Sequence, residues 1–393
     1  MVKGKYLLIF LFAATVYSAQ AQVDSLQSAD SVAAGLYNRG DWNQLIIFGH
    51  KTINEGTDNT DLRLKMAYAY FITGNYKKAL KEYSVVLHHD TYNATARYYA
   101  YFCERYLNND LGASYNAGYL DKATLTGWQS PFGLVSASVE SGAKFNNDVN
   151  RDNGSYTRAG ISNRLGWRLQ LDQSFAYFNQ GIFKLSTDND PDADRGDLYD
   201  RQKEYYAKLS FAAGQRFVIF SSYHYLNTQF DHTTYNNNLG LLGLKYTGTY
   251  ADIQANVNLG QLDSKQIQQY NTKLTLYPFG NFNIYTISTV SLKHLDGANN
   301  LIYDQAIGFK FIKNTWLESA VTFGDLDNYV AADGLYIYNA VDKTTFKASE
   351  TAYYQLGYHA QLQLSYFYEK KSDTYQSITY DQHSVTLGIS WKF

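Results

Sequence analysis

The sequence predicts an α+β chain of two domains. A short α-helical repeat solenoid comes first, and an antiparallel transmembrane β-barrel of about fourteen strands follows, with twelve or sixteen as alternatives. Three observations carry this expectation. Residues 26–122 match themselves at an offset of 34. After Trp128 the apolar pattern changes from helical spacing to alternation. The chain then ends on an alternating apolar segment whose last residue is Phe393. Composition agrees. Aromatic residues reach 17%, with 38 Tyr, while charged residues are only 18%, below the ~25% usual in soluble domains. A mean hydropathy of -0.39 and the lack of long internal apolar runs exclude a helical multi-span protein. A net charge of -2 gives no basic bias toward nucleic acid.

Residues 1–21 read as a secretory signal. Lys3 and Lys5 supply a positive start, Tyr6 to Val16 an apolar stretch, and Ala19-Gln20-Ala21 a small-residue cleavage site. Export to the cell envelope is therefore expected.

Residues 22–125 form the helical segment. Gly40-Asp41-Trp42 recurs as Gly74-Asn75-Tyr76, and Ala79 recurs as Ala113, each 34 residues on. Gly40 and Gly74 fall at the turns between helices. Ala67 and Ala79 are the small residues that let paired helices approach. Leu45 and Gly49 stand in the first copy where Ala and an aromatic are expected. The period resembles that of tetratricopeptide repeats, and the resemblance implies a concave surface that docks a protein partner. The single cysteine, Cys103, reads as a small buried hydrophobe. His88-His89-Asp90 reads as a solvated helix end, because adjacent residues on a helix point to different faces.

Residues 131–393 form the barrel. Ala251, Ile253, Ala255, Val257 and Leu259 alternate with Asp252, Gln254, Asn256 and Asn258, and similar segments of about ten residues recur to the end of the chain. That length crosses a bilayer as a tilted strand. Short turns are expected on one rim, near 165–166, 214–215, 248–249, 278–281, 313–314 and 358–359. Longer loops are expected on the other, at 145–154, 187–200, 229–237, 295–300, 326–348 and 371–381. Asp333-Gly334 is a two-residue hairpin signal, so the 326–348 loop is expected to carry a rigid protruding hairpin. It could also fold inward and plug the pore. Val385, Leu387, Ile389, Trp391 and Phe393 lie on one face of the last strand. This ending resembles the C-terminal signal that outer-membrane proteins present to the barrel insertion machinery.

Water-facing positions on this register include Arg168, Lys208, Asp252, Lys273, Asp304, Lys310, Glu318 and Glu369. Their near balance of sign predicts a polar lumen with little ion selectivity. No catalytic constellation, cofactor motif or firm metal site is found. Alternate carboxylates Asp188, Asp190, Asp192 and Asp194 have ligand-like spacing, but the closing Glu of a calcium loop is missing, so a solvated acidic loop is expected there.

The order of parts resembles bacterial outer-membrane β-barrels with a short periplasmic tetratricopeptide segment, including the YaiO-like group, and also exopolysaccharide-export porins. The resemblance implies an outer-membrane location with the N-terminal segment periplasmic, contact with outer-membrane lipid, and no enzymatic activity. It implies a pore or export port for a hydrophilic solute or glycan. The alternative is a non-conducting scaffold or surface-binding protein.

Overall fold

A computed structural model describes residues 29–121, 123–125, 130–183, 197–230, 232–373 and 378–393. The secretory signal and the carboxylates from Asp188 to Asp194 lie outside the described residues. The chain divides into two compact units, residues 1–108 with 119–121, and residues 109–118 with 122–393.

The first unit holds five helices: α1 (29–39), α2 (Trp42–Asn54), α3 (Thr60–Ile72), α4 (Tyr76–His89) and α5 (Ala94–Tyr106). Their starts are written in the sequence. Asn59, Asn75 and Asn93 each accept a hydrogen bond from the backbone N–H three residues on, which satisfies one of the free donors at a helix N-terminus. Gly40 and Gly74 take positive φ angles of 74° and 78° at the inter-helix turns, where an L side chain is strained. Ala67, Ala79, Ala96 and Ala100 are buried with Tyr83 and Cys103 in one core, and Leu45, Leu62 and Met66 are buried in a second. Gly49 has a steric reason: a Cβ there would sit 2.2 Å from the Met66 sulfur. The large side chain comes from α3, and α2 supplies the gap.

Two polar features mark this unit. Arg63 on α3 binds Asp58 (2.6 Å) and the buried Glu82 of α4 (2.5 Å). The Arg63 hydrogen bond holds the Asp58 carboxyl below its usual range. Burial pushes the Cys103 thiol well up, as expected of an inert core cysteine. Among the described residues, the buried Tyr83 hydroxyl has no hydrogen-bond partner.

In the second unit, fourteen strands among the described residues close into an antiparallel barrel. They are β1 (Phe132–Asn146), β2 (Arg151–Leu165), β3 (Leu169–Phe183), β4 (Asp197–Ala212), β5 (Phe217–Phe230), β6 (Thr233–Thr247), β7 (Ala251–Leu262), β8 (Lys265–Leu276), β9 (Ile284–Leu295), β10 (Ala298–Ile312), β11 (Thr315–Phe323), β14 (Lys343–Leu356), β15 (Ala360–Ser372) and β16 (Thr379–Lys392). Two short strands, β12 (Val330–Ala331) and β13 (Tyr336–Ile337), form a separate hairpin. Closure is made by β1 on β16, with Ser138 opposite Ser390. The barrel therefore has no free edge, as spanning a bilayer requires. Its outer face is an apolar band: Leu242, Leu259, Leu364 and Leu387 are all exposed. Aromatics stand out at both ends of the band, with Phe211, Phe217, Phe311 and Trp391 at one and Tyr199, Tyr303 and Phe323 at the other. The architecture is a transmembrane β-barrel preceded by helices.

The eight-residue helix α6 (Asp110–Ala117) belongs to the barrel unit. Tyr115 lies under the Arg168 guanidinium at 5.0 Å, and a Cβ on Gly118 would meet Trp167 at 2.8 Å.

The opposite rim differs from the expected pattern. The connections expected over 229–237 and 295–300 shrink to 231–232 and 296–297. Asp296-Gly297, with φ of 50° and 81°, is itself a two-residue hairpin turn of the primed kind. Asp263 and Ser264 make another such turn, with φ of 49° and 65°. The rims are therefore less unequal than the composition suggested, because these polar residues pair as strand. Among the described residues, 324–342 form the longest connection between barrel strands, and they run inward.

Candidate functional site

The wall supplies a polar interior because alternate strand residues face inward. Lys208, Asp252, Lys273, Asp304, Glu318 and Glu369 take inward positions in this register, as does Lys310, which stands 5.3 Å from the Trp316 ring. The carboxylates among them have partners on the wall: Asp252 meets Lys245 at 3.5 Å, Asp304 accepts from Thr322 at 2.7 Å, Glu318 from Tyr285 at 2.6 Å, and Glu369 from Gln382 at 2.6 Å. Arg168 does not line the wall. It sits in the turn between β2 and β3, because the strand pairing of β3 starts one residue later. Val385, Leu387, Ile389, Trp391 and Phe393 all face outward, exposed. Gly40, Ala67, Gly74 and Ala79 lie in the helical unit as described.

Inside the barrel sits the hairpin of β12 and β13. The expected protruding hairpin is thus an internal plug. It closes on itself through Tyr338 N–H to Tyr329 O (2.9 Å) and Asn328 N–H to Tyr338 O (3.0 Å). Its apolar side chains explain the inward turn. Val330 and Ile337 pack on Leu239, Leu262, Ile267 and Leu295 of the wall. Leu326 and Tyr329 pack on Ile302. A loop carrying Leu326, Tyr329, Val330, Leu335, Tyr336 and Ile337 would expose a large apolar surface if it stood in water.

Polar bonds fix the plug to most of the wall. At its base, Arg151 of β2 grips Asp342 with Nε at 2.6 Å and Nη2 at 2.9 Å, and Tyr380 of β16 donates to the same carboxylate at 2.7 Å. Asn339 accepts from Thr228 of β5 at 3.0 Å and its carbonyl accepts from Gln202 of β4. Along its edge, the Gln269 amide of β8 bonds both the N–H (3.0 Å) and the C=O (2.7 Å) of Val330. One side chain thereby takes the place of a neighbouring strand. Lys293 of β9, fully buried, donates to the carbonyls of Asp325 (2.9 Å) and Asp327. Arg158 of β2 reaches the Leu335 carbonyl (2.9 Å) and Glu204 (2.8 Å), with its guanidinium 4.6 Å from the Tyr336 ring.

The plug tip is the most constrained part. Ala332, Asp333 and Gly334 take φ of 50°, 59° and 88° in succession. Two non-glycine residues in the left-handed region persist only where surroundings hold them. Here the Asp333 carbonyl accepts from Ser222 (2.9 Å) and Tyr206 (3.0 Å), and the Gly334 carbonyl from His224 Nδ1 (2.7 Å). The Asp333 carboxylate meets Lys208 (2.6 Å), Gln254 (2.6 Å) and Lys273 (3.4 Å). Beside the tip, a cavity of ≈ 340 Å³ is lined by Ser136, Ser138, Glu140, Arg158, Asp172 and Tyr336, among others.

Alternation in the sequence places the lysines on the inward face, but not the neutral groups that hold the plug. Gln254, Gln269, Ser222, Tyr206 and His224 are ordinary inward positions of a strand, with no motif to mark them. The signal that was present is the apolar content of 326–338, too high for a solvated loop. Among the described residues, no cluster of His, Cys, Asp and Glu is arranged to hold a metal.

No protein-family model matches the chain, and no curated protein matches it. Among solved structures, several outer-membrane proteins are similar to this chain. The Pseudomonas putida toluene transporter TodX is 8% identical, covering 69% of this chain and 91% of its own, with a TM-score of 0.48. The Acinetobacter baumannii outer membrane protein Omp33 is 7% identical over 66% of this chain and 99% of its own, TM-score 0.38. A bacterial polysaccharide outer membrane secretin is 8% identical over 66% and 98%, TM-score 0.39.

Proposed function

We propose that the chain is an outer-membrane channel for a hydrophilic solute or glycan, held closed by its own plug. The observation that carries the reading is the hairpin of β12 and β13 seated in a polar lumen by bonds that water or solute could replace. A wall of ~14 strands encloses more space than wall side chains alone fill, since ~8 strands is already the filled limit. The plug occupies part of that space, and a cavity remains beside it. The even strand number puts both ends of the barrel on one rim, which is the periplasmic side in this reading. Helices α1 to α5 precede that rim in the chain, and their 34-residue period supports a role in docking a periplasmic protein.

The scaffold reading has its own support in the buried Arg151–Asp342 pair, which ties the plug base to the wall. Planar-bilayer recording separates the two. The full chain is expected to be closed most of the time, and a variant lacking 329–338 to conduct steadily. If both stay silent while the folded barrel still migrates faster unboiled than boiled, the channel reading is lost and the scaffold takes its place.

A further inference from the structure

The plug tip occupies a site built for another acceptor. Five wall groups converge on Asp333 at this tip, and all five donate: Lys208 of β4, Lys273 of β8, the Gln254 amide of β7, and the hydroxyls of Tyr206 and Ser222. Among the described residues, Asp333 is the only carboxylate within ion-pair distance of Lys208 or Lys273. The neighbouring lysine, Lys245, is already matched by Asp252 at 3.5 Å. Asp172, opposite Lys208 in the strand register, instead accepts from Ser162 (2.5 Å) and Gln170 (2.8 Å). Withdrawal of the tip would leave the Lys208 and Lys273 ammonium groups side by side with no carboxylate in ion-pair distance among the described residues. Like charges held close without a counter-charge repel and favour an arriving anion.

We propose that these residues form a binding subsite for the carboxylate of an acidic solute, such as a uronic-acid sugar, and that Asp333 is a built-in stand-in for it. The match is chemical. Each Asp333 oxygen is met separately, Oδ2 by Lys208 and Oδ1 by Gln254 and Lys273, as an arriving carboxylate would be. The main-chain carbonyl of Asp333 fills the hydroxyl donors, a place that a sugar hydroxyl or ring oxygen can take. The strain at the tip makes exchange feasible. Ala332 and Asp333 are held left-handed at φ of 50° and 59°, and a competitor that takes the donors lets both relax. The ligand thus displaces the plug by competition for one set of donors, and opening and recognition become a single event. The inference rests on the channel reading only for where the ligand comes from; the subsite itself stands on the donor geometry.

The test is direct binding of glucuronate, by calorimetry, to the full chain in detergent. Asp333→Asn, which keeps shape and loses charge, and Asp333→Ala are compared with the unaltered protein. Both are expected to bind glucuronate at least about tenfold more tightly, because the internal competitor is weakened or gone. Adding Lys208→Gln and Lys273→Gln to either is expected to abolish the gain, and glucose is expected to show none in any variant. Equal glucuronate affinity with and without Asp333, in protein that keeps its heat-modifiable migration, overturns the proposal. So does a gain that survives removal of both lysines, or one that glucose shares. Conductance is read separately. Binding without conduction in the variant lacking 329–338 strikes the channel reading and leaves the subsite; conduction without binding strikes only the subsite.

Discussion

Gly334→Ala is the most informative single change at the plug. Gly334 has φ of 88°, a conformation that costs an L residue about 1–2 kcal/mol. A Cβ there would lie 2.9 Å from the Ser222 hydroxyl oxygen, too close for both to stay. Ser222 must turn away, and its hydrogen bond to the Asp333 carbonyl, 2.9 Å long, is lost at a net cost of about 0.5–1.5 kcal/mol. Both penalties fall on the seated plug and neither on a withdrawn one. Together they come to about 1.5–3.5 kcal/mol, or about 10- to 400-fold in the ratio of open to closed barrels. Single-channel recording reads that ratio as open probability. Adding Ser222→Gly recovers nothing, because the hydrogen bond from Ser222 is already lost and the left-handed cost remains. An unchanged open probability in Gly334→Ala, with the barrel folded, would refute the reasoning, because the seated tip could not then be what limits passage.

Four further outcomes follow from the packing. Gly49→Ala, aimed at the Met66 sulfur 2.2 Å away, should destabilise the helical unit by about 1–3 kcal/mol in chemical denaturation. Tyr83→Phe deletes a buried hydroxyl that has no partner among the described residues, and the same assay should show a gain of about 1 kcal/mol. Because the Arg63 hydrogen bond holds the Asp58 carboxyl below its ordinary range, the pair stabilises the fold above that range and loses the contribution as pH falls through the lowered value; Asp58→Asn should flatten the acid limb of the stability profile. Replacing the outward-facing Trp391 and Phe393 with Ser should lower the amount of barrel recovered from outer membranes, measured by heat-modifiable migration.

Much of the barrel was legible because its chemistry is periodic. Alternation such as Ala251, Ile253, Ala255 against Asp252, Gln254, Asn256 states which face meets lipid, and the outward run from Val385 to Phe393 states where the wall ends. Turn chemistry was read unevenly. Asp333-Gly334 stands out as a hairpin signal, whereas Asp296-Gly297, the same dipeptide, is hidden among the polar residues of 295–300. The direction of the 324–342 segment was not legible from its turn, since a hairpin of given local geometry packs inward or stands outward according to what its apolar residues can reach. That depends on Leu239, Ile267, Leu295 and Ile302, which come from four strands brought together only by closure. Alternation places Lys208, Gln254 and Lys273 on the inward face, but not their convergence on Asp333. Lys208, Gln254 and Lys273 are far apart in the chain, and no spacing rule links them. Gly49 shows the limit in the helical unit: a departure from the repeat pattern that looked like decay is a fit to Met66.

Hydrogen–deuterium exchange of the full chain in lipid nanodiscs tests the central claim most directly, because it asks whether residues 325–342 are inside the wall. The Val330 amide donates to Gln269 (3.0 Å) and the Tyr338 amide to the Tyr329 carbonyl (2.9 Å), both beneath packed side chains. Peptides covering 328–338 should therefore be protected as strongly as those from β8 and β9, and Gln269→Ala should release the Val330 amide first. Exchange of 328–338 at the rate of an exposed loop, with the wall strands still protected, would contradict the plugged lumen.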